Sequence, residues 1–333
     1  MAVVGGCLLT GLRDVTNDLT ALDAPGHGWW AVVIPFDAPP VCARFDRRVP
    51  APAPAGGASP GVDAGAWTSS TDEEGYGKGV RAVREAIAGG DVYQVNLCRR
   101  LSAPVAPSFD VAGLANTLRR ANPAPHAAMV NLRSAGVGVA SASPELFLRR
   151  RGSLVETRPI KGTAARGAPF LAKDRAENVM IVDLMRNDLG RVCEYGSVQA
   201  PDLCRVEHHP GLDHLVSTVR GRLRPGVGWV ELLAATFPPG SVTGAPKLAA
   251  LDVIRHLEPV SRGVYCGAVG WVDTASALGE LNVAIRTFWL EDGHLHLGTG
   301  AGITWDSSPE GEWEETELKA RRLLALAAGG APA

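Results

Sequence analysis

The sequence predicts an α+β fold built on antiparallel sheet, and three observations predict it. Of 333 residues, 46% are hydrophobic and 20% charged, enough for a large buried core and too apolar for a disordered chain. Strand-like stretches come in adjacent, hairpin-like groups between helical ones, without the strict β–α alternation of a doubly wound parallel sheet. No internal repeat of fixed period overrides that pattern.

Taken in order, 28–35 (Gly28-Trp29-Trp30-Ala31-Val32-Val33-Ile34-Pro35) reads as one strand. Positions 50–61, P-A-P-A-P-A-G-G-A-S-P-G, fit neither a helix interior nor a central strand and read as a linker. The expected organisation is a short N-terminal edge segment with its linker, 1–61, and a main body over 70–328. In that body 76–88 has helical spacing through Val80, Val83 and Ile87 and stops at Gly89-Gly90. Next, 91–101 alternates, with Tyr93, Val95 and Leu97 on one face and Gln94, Asn96 and Cys98 on the other. Further strands are expected over 127–132, 136–140, 145–149, 154–158, 267–273, 282–290 and 294–297. Helices are expected over 110–121, 169–189, 230–235, 246–257 and 309–328.

Composition excludes several function classes. With 33 Lys and Arg against 35 Asp and Glu the net charge is −2, so no global basic field serves nucleic acid, and an anionic substrate needs a local cationic pocket. No apolar run reaches the roughly 18 residues of a membrane span. Met1 to Arg13 has no basic stretch ahead of its short apolar one, so no secretory leader is expected. Six cysteines without a C-x-x-C pair read as reduced thiols of a cytoplasmic protein.

Two helices carry acidic residues at matching spacing. Asp174 and Glu177 share a face of one. Behind Ser308 and Pro309, a fitting helix start, Glu312, Glu315 and Lys319 share a face of the other. Such groups are ordinary solvated ion pairs, or else both faces converge on one hard cation such as Mg²⁺, which takes one or two protein carboxylates and leaves positions for water and an anionic ligand. Positions 298–302 (Gly298-Thr299-Gly300-Ala301-Gly302) read as a glycine-rich turn between strands; without G-x-G-x-x-G spacing they are no dinucleotide fingerprint. Positions 240–247 enter a helix at Pro246 and lack the P-loop pattern. Lys161 ends a strand, Glu145 begins one, and His214 suits a core as well as a site. Gly6-Cys7-Leu8-Leu9 is no glutaminase nucleophile turn, because Leu9 stands where that turn needs a small residue.

Together these segments resemble the chorismate-utilising enzymes. The resemblance runs over 76–325 in family order. It is carried by Tyr93-Gln94-Val95-Asn96-Leu97, Ser143-Pro144-Glu145-Leu146-Phe147, Arg158-Pro159-Ile160-Lys161-Gly162-Thr163, and Ala176-Glu177-Asn178 through Asp183-Leu184-Met185-Arg186-Asn187-Asp188-Leu189-Gly190. It continues through His214-Leu215-Val216-Ser217, Pro239 to Lys247, Tyr265-Cys266-Gly267-Ala268-Val269-Gly270, Ala284-Ile285-Arg286-Thr287, Gly300-Ala301-Gly302-Ile303 and Glu315-Thr316 with Lys319.

The resemblance implies two roughly orthogonal antiparallel sheets with helices outside. It implies Mg²⁺ held by Glu177 and Glu315, with Asp174 and Glu312 supporting through water. Arg286, Tyr265, Lys319 and the Gly300–Gly302 amides would hold the end of chorismate away from the metal, with Gly162, Thr163 and Thr243 lining the same pocket. Isochorismate- and salicylate-forming members carry a water-activating lysine where this chain has Gln94, and glutamine is no general base. Anthranilate-forming members usually have alanine where Lys161 stands. The P-I-K-G-T form is typical of aminodeoxychorismate synthases, in which the lysine attacks ring carbon C2 as the C4 hydroxyl leaves, ammonia adds at C4, and the lysine is expelled. That role requires a neutral Lys161 and a protonated Glu145, with His214 near C4. The implied function is component I of aminodeoxychorismate synthesis, for folate or another p-aminobenzoate-derived product. Ammonia would come from a separate class I glutamine amidotransferase subunit. Anthranilate synthesis is the alternative, and a non-catalytic chorismate-binding subunit a more distant one. The N-terminal portion is shorter than the one with which relatives complete a tryptophan pocket, so tryptophan binding is not expected.

Overall fold

The computed structural model describes residues 1–26, 28–54, 61–209 and 212–329. Among the described residues, eighteen strands, all paired antiparallel, join in one hydrogen-bonded network, with six α-helices against it. The expected α+β class therefore holds, and hydrogen bonding is continuous where two sheets were anticipated. Of the linker anticipated over 50–61, Pro50 ends the strand Val41–Pro50, 51–54 and 61 have no regular structure, and 55–60 lie outside the described residues.

Three of the helices start at a side-chain cap, and apolar faces seat the helices against the sheet. Asp72 caps Glu73–Ala88 by accepting from Gly75 N–H, and Asp110 caps Val111–Ala121. Ser308 caps Pro309–Ala327, with proline in its first turn. Three apolar clusters result. Val80 and Val83 pack with Ala250 and Ile254 of Lys247–Leu257 over Val95, Leu97 and Ile303. Leu114 and Leu118 meet Leu323, Leu326, Phe288 and Leu297. The largest cluster joins Ile181, Met185 and Leu189 of Ala172–Gly190 and Leu232 of Trp229–Thr236 to Val32, Phe147, Val269 and Leu281.

The N-terminal strand Trp29–Ile34 pairs on one side with Val41–Pro50 and on the other, along its whole length, with Ala268–Asp273. The strand Gln94–Pro104 pairs over ten residues with His294–Ile303, from Val95 opposite Ile303 to Pro104 opposite His294. Its polar face, Gln94, Asn96 and Cys98, is as buried as its apolar one; Tyr93, ahead of the strand, is exposed.

Two sequence expectations need correction. The stretch 298–302 is no turn. It continues the strand His294–Ile303, and none of its glycines has positive φ. Glycine is required there by close approach: a Cβ on Gly298 would lie 2.0 Å from the Tyr265 ring, and one on Gly302 would lie 2.2 Å from Gln94 Nε2. Conversely, 282–290 is not one strand. It breaks into Leu278–Val283 and Thr287–Glu291, with Arg286 at φ +51° between them. Strands Ile160–Ala165, Gln199–His209 and Leu212–Arg222 escaped sequence reading because their polar residues pair with one another across the ladder, Glu207 opposite His214 and Thr163 opposite His214 among them.

Candidate active site

Five segments converge on Lys161. It lies on Ile160–Ala165, whose register against Leu212–Arg222 shifts between Ile160 and Thr163. The shift is made by Gly162, at φ +87°, where a Cβ would lie 2.9 Å from Asp174 Cβ and 3.1 Å from Leu215. The bare backbone thus lets the start of helix Ala172–Gly190 close on the lysine strand. Asn178, fully buried on that helix, donates to Leu215 O at 3.1 Å and Lys161 O at 3.5 Å. From the opposite side, the point where a Cβ on Gly302 would sit is 3.4 Å from Lys161 Nζ and 2.2 Å from Gln94 Nε2. Gln94 is 1% exposed, and neither its Nε2 nor its Oε1 has a hydrogen-bond partner. An unsatisfied buried amide costs about 1–3 kcal/mol, so its place beside Lys161 calls for a ligand.

Glu145 is 3% exposed. Burial pushes its carboxyl up to about 7; the Ser241 hydroxyl, the Lys161 charge and the Ile160 N–H offset this only in part. Among the described residues it makes no ion pair with Lys161. Ser241 and Thr243 belong to the turn Gly240–Val242 and its exit, where Thr243 O accepts Asn96 N–H at 2.7 Å. His214 is 2% exposed, its Nδ1 2.9 Å from Thr163 Oγ1.

The two acidic helix faces do meet. Burial raises Glu177, and the negative charges of Asp174 and Glu315 add to the rise against Lys161 and Lys173. Burial and Glu315 raise Glu312, which accepts from Ser307 Oγ at 2.5 Å. Glu315 feels burial too, but Lys319 at 2.6 Å, with Lys161 and Lys173, holds it below its ordinary range. Lys319 also donates to Gly300 O at 2.9 Å. Asp174 is engaged elsewhere, accepting Leu171 N–H at 2.9 Å. Among the described residues no three His, Cys, Asp or Glu side chains gather closely enough to form a metal cage on their own. Glu177 thus feels the negative charges of Asp174 and Glu315, and Glu312 that of Glu315, with Lys161, Lys173 and Lys319 as the opposing cations.

Tyr265 is buried against Gly298, and burial pushes its hydroxyl far up. Arg286 is pulled down by burial and by the Arg322 charge, and its guanidinium has no hydrogen-bond or ion-pair partner among the described residues. Sequence reasoning missed Ser241 and Asn178 as supports, although both lie inside the quoted motifs. It used Gln94 to exclude water chemistry without foreseeing that its amide would be unsatisfied.

The sequence pattern of the chorismate binding enzymes matches residues 41–325, a span that contains every segment just described. The chain belongs to this family. It is 43% identical over 301 residues to anthranilate synthase component 1 of Streptomyces coelicolor, covering 84% of this chain and 58% of that one. It is 42% identical over 271 residues to aminodeoxychorismate synthase component 1 of Klebsiella aerogenes, covering 78% and 59%. The chain therefore spans a little under three fifths of these relatives' length. The crystal structure of anthranilate synthase component I from Streptococcus pneumoniae superposes with a TM-score of 0.76 at 27% identity, over 90% of this chain and 80% of that one. No helix among the described residues is long and apolar enough to cross a membrane.

Proposed function

We propose that the chain is a cytoplasmic chorismate-aminating enzyme, forming 4-amino-4-deoxychorismate from chorismate and ammonia, with its catalytic domain over 70–328 and 1–61 attached to it. The observation that carries the reading is Lys161 beside the unsatisfied Gln94 amide and within the field of Glu145, whose carboxyl burial pushes up to about 7. Relatives of both branches are about equally similar, and Lys161, where anthranilate-forming members usually have alanine, supports the aminating branch.

The residues fit a hard divalent cation. Glu177 and Glu315 raise each other's energy across a half-buried gap, and two carboxylates are what Mg²⁺ needs when an anionic ligand and water complete its shell. Bound there, Mg²⁺ supplies positive charge for the substrate's ring carboxylate. Lys319, Tyr265 and the unpaired Arg286 receive the second carboxylate. Lys161, neutral when it reacts, forms a bond to C2. The C4–O bond breaks as Glu145 passes its proton to the departing hydroxyl, which leaves as water. Ammonia then bonds to C4, the C2–N bond breaks, and Lys161 is released. His214, held by Thr163, orients the group at C4. Ammonia comes from solution or from a separate glutamine amidotransferase.

Incubation with chorismate, Mg²⁺ and ammonium at mildly alkaline pH should give a product that retains the enolpyruvyl group. Stoichiometric pyruvate release would instead place the chain with anthranilate synthases, to one of which, from Streptomyces, it is 43% identical. Binding of chorismate without turnover would leave a non-catalytic subunit. Glutamine should not replace ammonium unless a partner is added.

A further inference from the structure

The turn between strands Trp29–Ile34 and Val41–Pro50 reaches the segment that carries Tyr265. Asp37 Oδ1 accepts Ser261 Oγ at 2.6 Å and Gly263 N–H at 3.0 Å, and Oδ2 accepts Arg262 N–H at 2.8 Å. Phe36 N–H donates to Gly263 O at 2.7 Å, and the Phe36 ring lies 4.5 Å from the Arg262 guanidinium. Arg262 in turn is 4% exposed and distributes its donors widely. Two go to Glu258 at 2.6 and 2.8 Å, one to Asn96 O at 2.7 Å and one to Val242 O at 2.8 Å. Asn96 shares a strand with Gln94, Val242 lies between Ser241 and Thr243, and Tyr265 N–H donates to Arg262 O at 3.2 Å. The residues gripped by Asp37 are thus the hub joining three separate parts of the candidate site. Asp37 itself is exposed, and it lies ahead of the 41–325 stretch shared with the family.

We propose that Asp37 is a positioning residue: it locks the 261–263 turn and, through Arg262 and Tyr265, sets the affinity for the substrate's carboxylate. The inference rests on the chorismate reading above. An exposed carboxylate holding two backbone N–H groups and a hydroxyl can be replaced by water without leaving a buried charge, so its loss loosens the turn and leaves the core intact.

Asp37→Ala and Asp37→Asn test this in the full chain, with chorismate binding measured by calorimetry in Mg²⁺, turnover with ammonium, and thermal unfolding alongside. Asp37→Ala should raise both Kd and KM about tenfold while kcat stays within about threefold, the expected pattern for a displaced binding group. Asp37→Asn, which keeps one acceptor oxygen, should recover part of the loss. In a Tyr265→Phe background, Asp37→Ala should cost less than in the wild type, because the two act on one contact. Unchanged Kd and KM in folded Asp37→Ala would overturn the proposal, as would a loss confined to kcat or to the yield of folded protein. A wild-type chain that does not bind chorismate would sink the functional reading first, a result distinct from wild-type binding that Asp37→Ala leaves untouched.

Discussion

Two regions of the molecule bury carboxylates beside cations, with opposite outcomes. In the cavity of about 270 Å³ lined by Gly5, His126, Arg149, Trp271, Glu280 and Asn282, the charges are matched. Glu280 takes His126 Nδ1 at 2.7 Å and Arg149 at 2.9 Å. Burial pushes its carboxyl up, but these partners outweigh burial and hold it low. Around Lys161 the balance is left open. Glu145 is pushed up to about 7, Glu177 and Glu312 are raised, and the Gln94 amide has no hydrogen-bond partner. The cavity has its charges satisfied by the protein; the Lys161 cluster does not, and groups left perturbed in this way are what reactive centres have in common.

The comparison breaks most easily at the acidic pair. Glu315→Ala or Glu177→Ala should reduce turnover by about 100-fold or more and raise the Mg²⁺ concentration needed, and chelation should silence the wild type in the same assay. Activity that survives chelation would remove the metal from the account.

The next largest effect is a pair of opposite signs. Between pH 4.5, the ordinary value, and about 7, folded Glu145 keeps a proton that the unfolded chain releases, so stability falls as pH rises through that window. Glu145→Gln removes this fall and should stabilise the fold at pH 8 by about 1–3 kcal/mol, while turnover loses its general acid. Glu280 behaves in reverse. Its stabilisation is present above the ordinary carboxyl value and is lost on acidification, so Glu280→Gln should cost about 1–2 kcal/mol at neutral pH and little of the chemistry. Urea unfolding of both variants across pH 3–8 checks the signs, Glu145 through the rise from 4.5 to about 7 and Glu280 below 4.5. In the wild type the alkaline limb of the rate profile should begin near pH 7 and vanish in Glu145→Gln.

The smallest effect concerns Gln94. Replacing an unpartnered buried amide by leucine should leave stability unchanged or raise it by about 1 kcal/mol, and weaken chorismate binding. A clear loss of stability would mean that the amide has a structural partner after all.

Much of this centre was legible before any coordinates. Asp174 and Glu177, and Glu312, Glu315 and Lys319, share helix faces because the α-helical period places them there, a local fact that spacing alone reveals. What escaped was tertiary. Gly298 to Gly302 looked like a turn because glycine permits turns, yet its glycines serve the approach of Tyr265 and Gln94, which no neighbouring residue announces. The break at Arg286 depends on a left-handed backbone at a residue type that rarely adopts it. Asp37 meets Ser261, Arg262 and Gly263 across 224 to 226 positions of chain. Residues that act through their own helix can be read from sequence; those that act through another strand's backbone cannot.

Lys161→Ala, with products from chorismate and ammonium identified by mass, probes the centre most directly. If the amine forms the transient bond at C2, aminodeoxychorismate disappears and any residual flux runs to anthranilate. An unaltered product made at an unaltered rate would mean that the reacting nitrogen never passes by way of this side chain.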